Sequence, residues 1–173
     1  MTPLRHIAIG ALLLCSVAAS AAGTPAPGYP ISQVPFTAVK VDDSFWTPRL
    51  RASRDVTIPL AFSKCESTGR YDNFVRAAHP SDTIRIGGFP FDDTDVYKTI
   101  EGASYLLQTF PDSRLEAYID SVLTIVAAAQ EPDGYLYTAR TMNPAHPHDW
   151  AGSRRWEAVE NLSHEFYNLG HMI

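Results

Sequence analysis

The chain has 173 residues, of which 45% are hydrophobic and 19% are charged, and its formal net charge is −5 at pH 7. This composition is typical of a globular protein. The basic residues are scattered singly or in pairs, which excludes the basic patch that binds nucleic acid or an anionic membrane. A neutral partner such as a carbohydrate is compatible with this charge.

The first 23 residues predict a secretory signal peptide. Arg5 and His6 precede an apolar run from Ile7 to Val17, and small residues follow it up to Gly23. The run is shorter than the ~20 residues of a bilayer-spanning helix. We therefore expect a soluble, secreted or periplasmic protein that has no membrane contact after cleavage, with lipid attachment at Cys15 as an alternative.

The segment that follows, residues 24–35, is rich in glycine and proline and predicts an exposed leader. Residues 36–173 then predict a single folded domain. Its one cysteine, Cys65, excludes an internal disulfide and is expected to be an inert thiol.

The start of this domain predicts a strand, a helix and a long loop. Residues 36–41 alternate in the manner of a short strand. Pro48, at a position favoured in a first helical turn, predicts a helix with a break near Ile58, because Pro59 cannot continue the hydrogen-bond ladder. Residues 67–91 contain several glycines and prolines and no apolar period, so they predict a structured loop.

Two segments in the middle of the chain have strong helical periodicity and predict a hairpin. Apolar residues recur at spacings of three and four within 95–108 and again within 115–130, separated by a turn at 110–112. Residues 132–134 predict a second turn, followed by a strand at 135–138. A short helix is expected within 150–162, and Ser163 is expected to cap a last helix that is still running at Ile173.

That last helix carries the most suggestive polar pattern. His164, Asn168 and His171 have spacings of four and three, which place them on one narrow helical face. Two imidazoles and an amide are suited to binding sugar hydroxyls, although histidines in this pattern are also compatible with a satisfied interior. A zinc-protease HExxH motif is excluded, because Asn168 stands where the second histidine is required.

Other candidate groups have simpler interpretations. The acidic run of Asp92, Asp93 and Asp95 is interpreted as helix capping. An EF-hand is excluded, because Lys98 replaces the glycine of its turn. Histidines and an aspartate lie together at 146–149 in a proline-containing loop, which does not support a metal site. Aromatic residues suit either sugar stacking or the core, and core is favoured: Trp46, Trp150, Trp156, Tyr135 and Tyr137.

Three segments together resemble the β-L-arabinofuranosidase family of glycoside hydrolases. They are Asp-Thr-Asp-Val-Tyr-Lys at 93–98, the Asp-Gly-Tyr-Leu sequence at 133–136, and Ser-His-Glu-Phe-Tyr at 163–167 with Gly-His at 170–171. The resemblance covers residues 36–173. Phe166 departs from the family pattern, which has leucine there.

The resemblance implies an all-α fold, an incomplete (α/α)6 toroid of helical hairpins with a few short strands and long loops. It implies release of L-arabinofuranose or a related sugar from plant-type glycans. His164 is similar to a substrate-binding histidine of the family, and His171 and Asp95 are further candidates for substrate binding.

The resemblance also implies a cysteine nucleophile held by a zinc site of Glu and Cys ligands, together with a glutamate acid/base. All of these positions are expected beyond Ile173, so this chain is expected to contain no catalytic or metal-binding residue and to be inactive alone. Two alternatives stay open, namely a non-catalytic carbohydrate-binding or interaction module and another α-toroid enzyme such as a lyase.

Overall fold

A computed structural model of the chain describes residues 31–173. The predicted signal peptide and residues 24–30 of the predicted leader lie outside this range. The chain divides into two compact units, Met1–Ala38 and Val39–Ile173. Among the described residues, no helix is both long enough and apolar enough to span a membrane.

The described part of the first unit is exposed and ends in the 3₁₀ helix Phe36–Ala38. The N–H of Ala38 donates to the carbonyl of Pro35 at 2.9 Å, which closes a tight turn. The strand predicted at 36–41 is therefore wrong. A strand needs a neighbouring strand to satisfy its backbone, and the described residues offer none.

The second unit begins with a helical run in three parts. Helix α1 spans Trp46–Ala52, a π-helical stretch spans Ser53–Thr57, and α2 spans Ile58–Ser67. The backbone N–H of Phe45 donates to the Asp43 carboxylate at 2.8 Å just before the run. The predicted break near Ile58 is a change of helix type, because the wider π turn leads into α2 with Pro59 in its first turn.

Helix α3, Arg70–Ala77, lies in the region that the sequence predicted to be loop. Gly69 precedes it in the left-handed conformation with φ +77°, which allows the chain to reverse between α2 and α3. Tyr71, Phe74 and Ala77 are buried at spacings of three. The loop prediction is wrong for these residues and correct for the irregular segment at 80–91.

The predicted hairpin is confirmed as α4, Asp93–Thr109, and α5, Ser113–Ala128. Asp112 caps α5, with its carboxylate accepting hydrogen bonds from the N–H groups of Arg114 and Leu115 at 2.9 and 3.3 Å. Helices α2 to α5 enclose the main core. Its buried members include Phe62, Phe74, Val96, Tyr97, Ala103, Ile119 and Val122.

The remaining segment is mostly irregular between short helices. Helix α6 spans Thr138–Thr141, a 3₁₀ helix spans Asp149–Ala151, and α7 spans Glu165–Met172. The strand predicted at 135–138 is wrong, because the N–H of Thr138 donates to a carboxylate oxygen of Asp93 at 2.9 Å and not to a strand. The described residues contain no strand, and the predicted all-α class is confirmed.

A buried arginine shapes the loop after the 3₁₀ helix. Arg140 is 7% exposed, and its guanidinium donates to the carbonyls of Ala151, Gly152, Ser153 and Arg154. One planar cation thereby satisfies four successive carbonyls that secondary structure does not. The path of residues 151–154 toward α7 therefore depends on this side chain.

Candidate functional site

A cavity of about 360 Å³ lies where the N-terminal ends of α3, α4 and α7 meet. This volume is at the small end of the range for ligand pockets, which suits a single sugar unit. It contains two of the three predicted substrate-binding residues, Asp95 and His164. The lining residues are Arg70, Phe89, Phe91, Asp92, Thr94, Asp95, Lys98, His164 and Tyr167.

His164 enters the cavity from an unusual backbone conformation. It precedes α7 with φ +53° and ψ +30°, in the left-handed region that side chains rarely adopt. Its half-buried ring lies 4.7 Å from that of Phe91, centroid to centroid. The two imidazole nitrogens make no hydrogen bond to any residue of the described range 31–173, so they are free to bind a ligand.

One wall of the cavity is a network of opposite charges centred on Arg70. Its guanidinium Nε lies 2.7 Å from Asp95, and its Nη2 lies 3.2 Å from Asp92. The ammonium of Lys98 lies 3.8 Å from Asp95 and donates to the hydroxyl of Tyr167 at 3.2 Å. Two cations and two anions cancel, so the cavity favours a neutral polar ligand over an ionic one.

The capping interpretation of the acidic run is wrong for its first member. Asp92 occupies the N-cap of α4, but its side chain accepts no hydrogen bond from the helix. Its carboxylate pairs with Arg70 instead, since the missed helix α3 brings that guanidinium within reach. Burial raises the pKa of Asp92, and the Arg70 charge works against this shift.

Asp93 has a perturbed pKa but does not line the cavity. It is 1% exposed, and Thr138 donates to both of its carboxylate oxygens, through the backbone N–H and through the hydroxyl. Burial raises its pKa to about 6, against the opposing effect of these hydrogen bonds. A raised pKa often marks a general acid, but this carboxyl has no access to a ligand, and its contacts give it a structural role.

The third predicted residue, His171, lies apart from His164. It lines a separate cavity of about 530 Å³ with Tyr97, Tyr105 and Leu123 among its neighbours. Tyr167 lies between the two imidazoles, with its ring 6.0 Å from that of His164 and 4.5 Å from that of His171. The predicted common face fails because His164 is not helical, so the helical period does not extend to it.

Asn168, predicted on the same face, is 1% exposed and does not line the cavity of His164. Its side-chain amide donates to the backbone carbonyl of His164 at 3.2 Å, and its own N–H donates to that carbonyl at 2.8 Å. Asn168 therefore holds the backbone of His164 in place, and its side chain does not supply a wall of the pocket.

The remaining candidates do not form sites. Among the described residues no three His, Cys, Asp or Glu side chains are grouped to hold a metal ion. Cys65 is buried, and burial raises its thiol pKa. Tyr135 and Tyr137 are buried as expected of core residues, whereas three tryptophans are 39–56% exposed: Trp46, Trp150 and Trp156.

Seven of the nine lining residues were not among the predicted substrate-binding residues: Arg70, Phe89, Phe91, Asp92, Thr94, Lys98 and Tyr167. Arg70 was not predicted as a cavity residue because its helix, α3, was predicted to be a loop. Lys98 and Tyr167 stand inside the segments that carry the family resemblance, three residues after Asp95 and three after His164. For Lys98 the helical spacing from Asp95 places both side chains on one face of α4, and this was the available signal. His164 is not helical, so Tyr167 had no signal beyond its place in the segment that carries the resemblance.

Comparison with known proteins identifies relatives of the chain. A family model described as the β-L-arabinofuranosidase GH127 catalytic domain matches residues 38–173. A non-reducing end β-L-arabinofuranosidase from Bifidobacterium longum subsp. longum is 40% identical over 86 residues, which are 50% of this chain and 12% of that protein. The chain thus spans about an eighth of this curated relative's length.

Two solved structures are also similar. One is a GH127 β-arabinofuranosidase that is 79% identical, with a TM-score of 0.81 over 84% of this chain and 23% of the other. The second is a GH127 β-L-arabinofuranosidase from Geobacillus stearothermophilus T6, which is 32% identical, with a TM-score of 0.66 over 76% of this chain and 20% of the other.

Proposed function

Because the chain belongs to the GH127 family of β-L-arabinofuranosidases, we propose that its cavity binds the L-arabinofuranose unit of a plant-type glycan or a related sugar. The chain supplies this binding surface as part of a glycoside hydrolase that releases the sugar. His164 is the central binding residue and Asp95 a second one. His171, which lines the neighbouring cavity, is the weakest of the three candidates.

The observation that carries this proposal is the state of the His164 ring. Its backbone is held by Asn168, yet its nitrogens have no hydrogen-bond partner among the described residues. A partly buried imidazole without partners is costly unless a ligand supplies them. Sugar hydroxyls both donate and accept, so they satisfy either tautomer of the ring.

The other cavity residues fit the same ligand. The face of a furanose ring is partly apolar and packs on aromatic rings such as those of Phe91 and Tyr167. Its hydroxyls find acceptors in Asp95 and donors in Arg70 and Lys98. These charged groups are already paired with one another, so they bind hydroxyls without requiring an ionic group on the sugar.

Hydrolysis itself needs groups that the described residues do not combine. A retaining glycosidase requires an acid/base and a nucleophile beside the scissile bond. The cavity carboxylates Asp92 and Asp95 are both paired with Arg70, and Asp93 is sealed inside the protein. The proposal therefore assigns binding to these residues, and this chain alone is predicted to bind without hydrolysing.

The zinc that the family resemblance implies stays a prediction. Cys65, the cysteine of the described range, is buried beside the hydroxyl of Thr99 at 3.9 Å and has no second thiol. These residues do not fit a zinc site, and no step is derived through the metal.

We further propose that the protein acts outside the cytoplasm, in the periplasm or in the medium. The support is the signal-like pattern of residues 1–23, with its basic start, short apolar run and small residues. Such a location would expose the protein to polymeric glycans outside the cell.

The test is binding of methyl β-L-arabinofuranoside, whose ring is locked as a furanose, followed by NMR titration. Replacing His164 by alanine is expected to weaken binding about tenfold, since a lost hydrogen bond between partly buried groups costs roughly 1.5 kcal/mol. His79→Ala is the matched control, because His79 is exposed and lines no cavity described above. Equal affinities of the His164→Ala variant and the unaltered chain would refute the assignment.

A parallel assay separates the enzyme from its alternatives. The chain is incubated with p-nitrophenyl β-L-arabinofuranoside, and nitrophenol is measured. Binding of the methyl glycoside without release of nitrophenol supports a binding surface that needs further residues for catalysis. Release of nitrophenol would show that the described residues are sufficient and would overturn the division of roles proposed above.

A further inference from the structure

Two residues other than glycine have positive φ in the described range, and both contact Glu165. They are His164, with φ +53°, and Trp156, with φ +64°. Such a conformation is strained for a residue with a side chain, and it persists where the surrounding structure holds it. Glu165 follows His164 in the chain, and its carboxylate accepts a hydrogen bond from the N–H of Trp156 at 3.0 Å.

Glu165 is a buried carboxylate that is held by neutral hydrogen-bond donors. It is 1% exposed, and its second oxygen accepts the hydroxyl proton of Tyr135. Among the described residues it has no ion pair. Glutamate is almost never fully buried without a charged partner, since desolvation costs several kcal/mol. Packing alone therefore does not account for this side chain.

The surroundings of Glu165 clamp the chain on both sides of His164. Before it, the carbonyl of Ser163 accepts the hydroxyl of Tyr137 at 2.7 Å. After it, Glu165 accepts from Tyr135. Two tyrosines of the segment 135–137 thus hydrogen-bond to the residues immediately before and immediately after His164. The imidazole of His164 stays free of hydrogen bonds and lies against Phe91 in the cavity.

Aromatic packing fixes Trp156, whose backbone N–H donates to the Glu165 carboxylate. The ring of Trp156 stacks on Phe166 with a centroid distance of 5.1 Å and an interplanar angle of 16°. It also meets the edge of Tyr135 at 5.3 Å. Glu165 hydrogen-bonds to two members of this cluster, Tyr135 and Trp156, and therefore connects the cluster to the start of α7.

We propose that Glu165 is a positioning residue that holds His164 in its left-handed conformation with the imidazole directed into the cavity, and so sets sugar affinity through His164. Glu165 does not line the cavity, so its effect on binding is expected to act through His164 and not through a contact with the sugar. This inference rests on the function proposed above. It adds a residue that affects binding indirectly, through the conformation of His164.

A double-mutant cycle on the full chain tests the coupling. Glu165→Ala is expected to weaken binding of methyl β-L-arabinofuranoside about tenfold in the native background and to have no further effect beside His164→Ala. Glu165→Gln keeps a carbonyl oxygen that accepts from the Trp156 N–H and gains an NH2 group that can donate to the Tyr135 hydroxyl. Its affinity is expected to be close to that of the native chain. Equal losses in both backgrounds would overturn the proposal, because Glu165 would then act independently of His164.

A second measurement separates failure of this inference from failure of the proposed function. The ¹³Cε1–¹Hε1 signal of His164 is recorded without sugar. Glu165→Ala is expected to shift it, and His79 supplies the internal reference. If His164→Ala leaves sugar binding intact, the proposed function fails, and the shifted signal still supports positioning. An unshifted signal overturns the inference in either case.

Folding is monitored by circular dichroism for every variant. Should Glu165→Ala lose its helical signal, Tyr135→Phe replaces it in the cycle, since it removes only the hydroxyl that donates to Glu165. A loss of affinity that vanishes in the His164→Ala background supports positioning. An unchanged affinity in Tyr135→Phe, with an unshifted His164 signal, overturns it.

Discussion

Replacing Asp93 by asparagine should change how stability depends on pH. The carboxyl is buried, and its pKa is raised from 3.8 to about 6 in the folded protein. Between these two values the folded state holds a proton that the unfolded state has released. Stability therefore falls as pH rises through this window, because the folded protein must then hold a buried charge.

The size of this effect follows from the shift. A shift of about two units at 1.36 kcal/mol per unit corresponds to about 3 kcal/mol between pH 3.5 and pH 7. Asparagine keeps the shape of the side chain and an acceptor for the N–H of Thr138 but carries no charge. The free energy of unfolding of Asp93→Asn, minus that of the native chain, should rise by about this amount over the same range.

Urea unfolding followed by circular dichroism at several pH values measures both free energies. Asp112→Asn is a control of opposite sign. The N–H groups of Arg114 and Leu115 lower the pKa of Asp112, so its contribution to stability is present above the ordinary aspartate pKa and is lost as pH falls. A difference for Asp93→Asn that is flat, or that falls with rising pH, would show that burial does not control this carboxyl.

Two further substitutions, each with a control, and one labelling experiment test the fold. Gly88→Ala should lower the free energy of unfolding in urea by about 1–3 kcal/mol, because φ is +78° and the new Cβ would lie 2.8 Å from the Asp92 carboxylate. Gly87→Ala is the control and should be near neutral, because its new Cβ would meet nothing within 4 Å. Phe74→Ala, at a fully buried position, should cost about 3–5 kcal/mol, against less than about 0.5 for the exposed Val75→Ala; similar losses would contradict the assigned core. Cys65 should resist a thiol reagent until urea unfolds the chain, as followed by peptide mass mapping, and rapid labelling in native buffer would place it at the surface.

The sequence allowed good prediction where periodicity was long and locally consistent. Helices α4 and α5 each repeat the apolar spacing over several turns, and the turn between them carries an aspartate that caps α5. By contrast, α3 spans only eight residues and follows a glycine. Its burial pattern is too short to stand out against the glycines and prolines around it.

The predicted strands failed because alternation describes only a local preference. Residues 135–138 do extend at Tyr137, with φ −159°. The partner of that segment is the Asp93 carboxylate, 45 residues away in sequence, and not another strand. Such a pairing depends on tertiary structure and leaves no periodic trace.

The candidate site was predicted only in part, because some of its contacts also depend on tertiary structure. The family resemblance gave Asp95 and His164 as substrate-binding candidates, and both line one cavity, but their role in binding stays a prediction. Arg70, which pairs with Asp95, depends on the orientation of α3. The left-handed conformation of His164 separates it from His171, and no residue type in the sequence signals that conformation.

The separations along the chain have a consequence for the order of folding. The α4–α5 hairpin is built from neighbouring segments, whereas the cavity joins Arg70 to Asp95 across 25 positions and Lys98 to Tyr167 across 69. Closing longer loops costs more conformational entropy and slows the search for native contacts. During refolding we expect helical content to be regained first and the sugar cavity last, so that the binding surface reports completion of the tertiary structure.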